Sequence, residues 1–321
     1  MIKVKFLALL AALPIMIGSC SKDNDDANSS GTVSSSNANK NVTVPQPEVG
    51  RTEVPHLASG SQYTVLVHST AAHGVNMIIE WDGAKKAQRW TAYQMYDSNS
   101  KGTWTRKSWE GHYENKWAYL NYQKTKHYSS PSWDPFQPDP DLPPEVRTEL
   151  EDYSGTGYNR GHICPSADRL CSMDANEQTF YLSNMQPQIY AFNGGVWGNM
   201  ENQLRKWNEN SFRDTLFVCK GGTIADGQTL SSPTELVKNS RMKLPVPKYF
   251  FMAILCKKNN TYKAIAFLAE HKDDDSTNLV PYTLSIDELE QFTGIDFFCN
   301  LPDKIENAVE RVKSPTSWGM Q

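Results

Sequence analysis

The chain has 321 residues, with 32 Lys and Arg against 36 Asp and Glu and a formal net charge of −4. Such a balance excludes a protein that holds nucleic acid by overall positive charge, so any phosphate recognition must come from a local cluster or a bound cation. Apolar residues make up 39% and charged residues 21%, which suits one large folded domain with a core and excludes a wholly disordered chain.

Residues 1–19 carry Lys3 and Lys5, an apolar run from Phe6 to Ile17, and then Gly18-Ser19-Cys20. The run is shorter than the roughly 20 residues a membrane span needs, and reads as a signal peptide. Small residues leading into a cysteine resemble a bacterial lipobox, which implies cleavage before Cys20 and a lipid on its thiol. On that reading the protein is a secreted lipoprotein at the outer membrane or cell surface, touching the membrane only through its anchor. Ser21–Asp26, an acidic stretch, resembles the surface-export signal of some lipoproteins. Residues 20–60 are rich in Ser, Asn, Thr, Gly and Pro, and are expected to be a disordered tether. Residues 61–321 are expected to form the domain.

Strands are predicted at Thr64–His68, Met77–Glu80, Arg89–Tyr96 and Thr215–Cys219 from their β-branched and aromatic content. Tyr249–Cys256 and Tyr262–Ala269, separated by Asn259-Asn260, read as a hairpin. Six prolines mark Ser129–Pro144 as an irregular loop. Val196, Met200, Leu204 and Trp207 share one helical face, so a helix is predicted from about Gly195 to Asn210. Ser285 and Glu288 form a capping box, and Gly294 closes that helix. Strands and helices do not alternate, which favours an α+β fold with a largely antiparallel sheet. The five cysteines after Cys20 are an odd number, so at least one should be unpaired.

The densest chemistry lies between Tyr158 and Trp207. Arg160 and His162 would share a face of an extended segment, with Gly161 between them allowing close approach. His162 can accept a proton near neutrality, and the Arg160 guanidinium matches phosphate. A zinc site from His162, Cys164 and Cys171 lacks a clear fourth ligand. Asn193 could cap the following helix. Arg205 could pair with Glu201 one turn away, and Asp168 could neutralise Arg169. Glu270–Asp275 reads as a solvated loop. Between Lys101 and Lys126 the aromatics Trp104, Trp109, Tyr113, Trp117, Tyr119 and Tyr122 mingle with Arg106 and five lysines, a candidate phosphate-binding surface.

Three spaced elements, Asn159-Arg160-Gly161-His162, Ser183-Asn184-Met185-Gln186-Pro187-Gln188 and Asn193…Trp197…Glu201, resemble the DNA/RNA non-specific endonuclease family of the ββα-metal superfamily. That resemblance implies a ββα-metal fold and cleavage of DNA, RNA or both into products with 5′-phosphate ends. It implies His162 as general base and Asn193 as direct ligand of one divalent ion, magnesium or alternatively manganese. Glu201 would hold that ion through water, and Arg160, Arg205, Asn184 and Arg169 would contact substrate or buttress the site. Asn193 and Glu201 are two helical turns apart, so one hydrated ion can serve both only if Gly194-Gly195 permits a kink. Asn159 stands where the family has Asp. The alternative reading is a catalytically impaired nucleic-acid-binding lipoprotein with the same fold.

Overall fold

The computed structural model describes residues 36–111, 135–230 and 244–321. Seven strands form one antiparallel sheet in the order β1 (Tyr63–Thr70), β2 (Gly74–Asp82), β3 (Ala87–Tyr96), β6 (Thr215–Gly222), β7 (Tyr249–Lys258), β8 (Thr261–Glu270) and β9 (Thr283–Leu284). A separate two-stranded ribbon pairs β4 (Asn159–His162) with β5 (Met185–Gln188). Five helices belong to the described residues: α1 (Met173–Gln178), α2 (Tyr190–Gly194), α3 (Val196–Trp207), α4 (Ile286–Thr293) and α5 (Asp303–Glu310).

Both faces of the main sheet are covered, and this explains why its central strands read as unbroken apolar runs rather than alternating ones. Along β7, Phe250, Met252 and Ile254 pack with Trp197, Met200 and Leu204 of α3. The intervening Phe251, Ala253 and Leu255 pack with Ile286 and Leu289 of α4 and with Phe297 and Phe298 beyond it. A third cluster, with Trp109, Phe136, Phe180 and Leu182, lies beneath the ribbon.

Each strand expected from composition is present, usually extended by a few residues. Asn259 and Asn260 adopt φ of 47° and 60°, the pair of left-handed residues a two-residue turn needs to match strand twist. The Ser285 hydroxyl accepts from Glu288 N–H, Glu288 returns a bond to Ser285 N–H, and Gly294 closes α4 at φ 68°. Residues 135–144 contain no helix or extended strand; the remainder of that proline-rich loop is outside the described residues.

The expected tether needs correction over residues 36–60. Val49 and Val54 are buried in the cluster on the α4 face, worth roughly 1.5–3 kcal/mol each. Three asparagines fasten the rest. Asn37 Nδ2 donates to the Cys299 carbonyl at 3.0 Å, Asn39 Nδ2 donates to Glu306, and Asn41 Nδ2 donates to the carbonyls of Val49 and Pro55. The amides that give this segment its polar composition fasten it, to backbone carbonyls and to Glu306, rather than solvate it. Residues 20–35 lie outside the described residues.

Candidate active site

The β4–β5 ribbon sets His162 opposite Met185 and Gly161 opposite Gln186. Gly161 leaves room for the buried Gln188 side chain, whose oxygen would stand 2.2 Å from a Cβ there. Alternation puts Arg160 and His162 on one face, and both meet Phe136. The Arg160 guanidinium lies 3.9 Å over that ring, and the His162 ring is 5.7 Å from it. Phe180 meets His162 edge-on at 4.9 Å and carries Arg106 over its face at 5.3 Å. His162 Nε2 is shielded from water and has no hydrogen-bond partner. Nδ1 is therefore the ring nitrogen open to a substrate or water. Burial first, and then the charges of Arg106, Arg160 and Lys220, hold the imidazole pKa well below its ordinary value. The ring is a neutral base surrounded by cations.

The helical part is broken where the sequence allows it. α2 ends at Gly194, Gly195 takes φ −94° and ψ −119°, and α3 starts at Val196. A Cβ on Gly195 would come within 2.1 Å of the Asp274 carbonyl oxygen and 2.3 Å of that of Ala191. Val196 N–H donates to that same Asp274 carbonyl at 2.8 Å. The break expected at Gly194-Gly195 is thus present, and it is bolted down by the 273–275 segment. The cap reading for Asn193 is replaced: Asn193 lies inside α2, Gly195 occupies the N-cap of α3, and the Asn193 amide makes no hydrogen bond among the described residues. His271 likewise departs from the solvated-loop reading. It is buried, with Nδ1 donating to the Pro247 carbonyl and Nε2 accepting Ile189 N–H, each at 2.9 Å.

Glu201 on α3 receives the Lys220 ammonium at 3.1 Å, and Lys220 itself is fully buried with its Nζ 4.8 Å from the Trp197 ring. Burial raises the Glu201 pKa while Lys220 opposes that rise. Trp197 Nε1 donates to the His162 carbonyl at 3.4 Å, which ties α3 to β4. Arg205 does not pair with Glu201. It donates to Asp168 at 3.0 Å and to Asn202 at 2.8 Å, while Tyr93 donates to the other Asp168 oxygen.

Arg169 is corrected as a substrate contact, and Asn184 takes the buttressing alternative. Arg169 is buried, and its guanidinium is consumed by the backbone carbonyls of Asn76, Gln94 and Asp168. Asn184 is fully buried, accepting Cys164 N–H and donating to the carbonyls of Cys164 and Thr179. Both hold the loops under the ribbon and leave no donor for phosphate. The zinc reading falls as well: His162, Cys164 and Cys171 do not bring their ligand atoms together into one group.

Two site residues were not singled out from sequence. Arg106 was only one of six cations in a basic stretch, of which Lys116, Lys124 and Lys126 fall outside the described residues. Lys220 interrupts an otherwise apolar strand just before Gly221-Gly222, the sort of buried charge that demands a partner.

The residues present fit a divalent ion. The Asn193 amide is unengaged, Glu201 is a carboxylate on the adjoining helix, and both supply the hard oxygens that magnesium takes. A separate His68, Asp139 and Asp141 cluster is closed on itself, with the two imidazole nitrogens facing the two carboxylates at 2.9 and 3.4 Å.

A model of the DNA/RNA non-specific endonuclease family matches residues 70–304. The chain belongs to that family. It is a nuclease, a hydrolase of phosphodiester bonds. The nuclease is 33% identical over 174 residues to Nuclease C1 of Cunninghamella echinulata var. echinulata, covering 52% of this chain and 67% of that protein. It is 31% identical over 225 residues to a nuclease of Nostoc sp., covering 68% and 75%. It is 26% identical over 234 residues to the human mitochondrial nuclease EXOG, covering 70% of this chain and 56% of EXOG. A solved structure of EndoG in complex with EndoGI matches 77% of the chain and 91% of its own with a TM-score of 0.56 at 18% identity, and shares the ββα-metal fold.

Proposed function

We propose that the nuclease cleaves DNA, RNA or both without base specificity, using His162 as general base and a divalent ion, magnesium or manganese, held by Asn193 directly and by Glu201 through water. The observation that carries this reading is the His162 ring, neutral, unbonded to any other described group, and ringed by Arg106, Arg160 and Lys220. Nδ1 takes a proton from water as that water attacks phosphorus. The phosphorus–3′-oxygen bond breaks, which leaves a 5′-phosphate and a 3′-hydroxyl after the alkoxide gains a proton. Arg160 and Arg106 hold the non-bridging oxygens, whose charge grows in the transition state. The Lys220 ammonium opposes the rise that burial imposes on the Glu201 pKa. When bound, the ion supplies Lewis-acid stabilisation to the phosphoryl oxygens and the departing oxygen. Backbone contacts of this kind read phosphate and leave base identity unread.

For localisation, we propose a lipid on Cys20 and a place at the outer membrane or cell surface, supported by the signal-like residues 1–19 and the Gly18-Ser19-Cys20 junction.

The test is cleavage of supercoiled plasmid and of RNA in magnesium and in EDTA. Wild type should degrade at least one substrate only with metal, and His162→Ala should lose about 10²–10⁴-fold with an unchanged circular-dichroism spectrum. Binding without turnover by folded wild-type protein, across several divalent metals, would instead favour the impaired-binder reading.

A further inference from the structure

On the face of the sheet opposite the active site, α4 and α5 bring together carboxylates that no base neutralises. Asp287 and Glu290 stand one turn apart on α4, and Glu310 is the last residue of α5. One oxygen of each lies within 4.8 Å of the others. Glu310 is 7% exposed, its carboxylate accepts no hydrogen bond, and its Oε1 is shut off from water. Asp296 and Glu306 add two further carboxylates, bridged by Asn39 Nδ2 at 3.1 and 2.9 Å. Asn39 Oδ1 is also shielded and without a partner. Among the described residues, no lysine or arginine pairs with any of the five acids. The nearest such pair, Lys313 with Glu288 at 3.3 Å, involves a neighbour on α4. His56 is the one basic group whose charge is felt, weakly, at Asp296.

Buried acids of one sign require either protons or a cation. Burial and mutual repulsion push Glu290 up to about 7 and Glu310 up to about 9. We propose that Asp287, Glu290 and Glu310 form a second divalent-cation site, suited to calcium, that clamps α4 to the end of α5. The ligands are hard oxygens without nitrogen or thiolate, which disfavours zinc. Calcium accepts carboxylate oxygens in loose, variable geometry, whereas magnesium demands near-octahedral angles and keeps its waters; carboxylates projecting from two different helices suit the looser ion. The role is structural. The site lies across the sheet from His162, and this inference is independent of the proposed catalytic mechanism.

The test uses the full chain, stripped with EDTA and exchanged into chelator-free buffer. Calcium chloride is titrated calorimetrically, and melting is followed with and without calcium. Wild type and Asn193→Ala should both bind calcium at this site and gain several degrees in Tm. Asp287→Asn, an exposed change that does not threaten folding, should weaken that binding at least tenfold while leaving plasmid cleavage in magnesium unaltered. Glu310→Gln should melt close to wild type in EDTA, because burial already holds the apo carboxyl in its neutral form, yet fall below wild type in calcium. A calcium-dependent gain in Asp287→Asn and Glu310→Gln equal to that of wild type would overturn the proposal. So would the absence of any calcium effect on wild type.

Discussion

The residues of the site are distinguished by what their polar atoms are left to do. Arg169 and Arg160 looked equivalent in sequence, but one is spent on three carbonyls and the other faces the base across Phe136. Sequence identifies a guanidinium and not its partners, so it does not separate Arg169, which is spent on backbone, from Arg160, while Asn184 takes the buttressing role open to it rather than a substrate contact. Lys220 was missed because its partner is supplied by tertiary packing of β6 on α3. The charge at position 159 offers a direct test. Asn159→Asp adds a negative charge three residues from His162, and should raise the imidazole pKa by favouring its protonated form. The acid limb of the kcat/KM profile should then shift to higher pH, and an unchanged profile would show that residue 159 does not sense the base. His271 permits a stability test. Its pKa is depressed from an ordinary 6.5 to about 4 by burial. As pH falls, the unfolded chain takes up the proton first, so stability present above pH 6.5 is lost on the way down to about 4. The loss amounts to about 3 kcal/mol at 1.36 kcal/mol per unit. Urea unfolding across pH 4–7 should show this slope in wild type and a flatter one in His271→Gln. Protonating Nε2 would also release Ile189 N–H, the residue just before α2.

At the scale of elements, periodicity and caps were enough to place the α3 and α4 helices and the β7–β8 hairpin, because their signals are local. The short α2 and the ribbon were not legible as elements, since four or five residues carry no period and their geometry is imposed by neighbours. The α2–α3 break depends on Gly195. Gly195→Ala would drive a methyl group into the carbonyl oxygens of Asp274 and Ala191. It should cost about 1–3 kcal/mol in overpacking and lower activity more than a distant core change of equal destabilisation, because Asn193 would shift. Parallel melting and kinetics on Gly195→Ala and a matched core variant check this. The segment 36–57 shows the converse error, in which asparagines counted as disorder-promoting are fasteners. Asn41 holds two carbonyls and accepts Leu57 N–H. Asn41→Ala leaves those buried groups unmet and should lose about 2–4 kcal/mol, read as a lower Tm with the magnesium dependence of cleavage unchanged.

At the scale of the molecule, the compartment inferred from the leader permits disulfides, yet Cys164, Cys171, Cys219, Cys256 and Cys299 are all reduced and buried. Stability therefore rests on the two-faced sheet, and a strong reductant should leave Tm unchanged; a fall of several degrees would reveal a crosslink. The division of labour between the two faces has a further consequence. The strap at residues 36–41 is fastened behind the sheet, beside α4 and α5, while His162 and α2 lie in front. Residue 36 therefore joins the domain on the face away from His162, and the cations around that base stand clear of the point of entry.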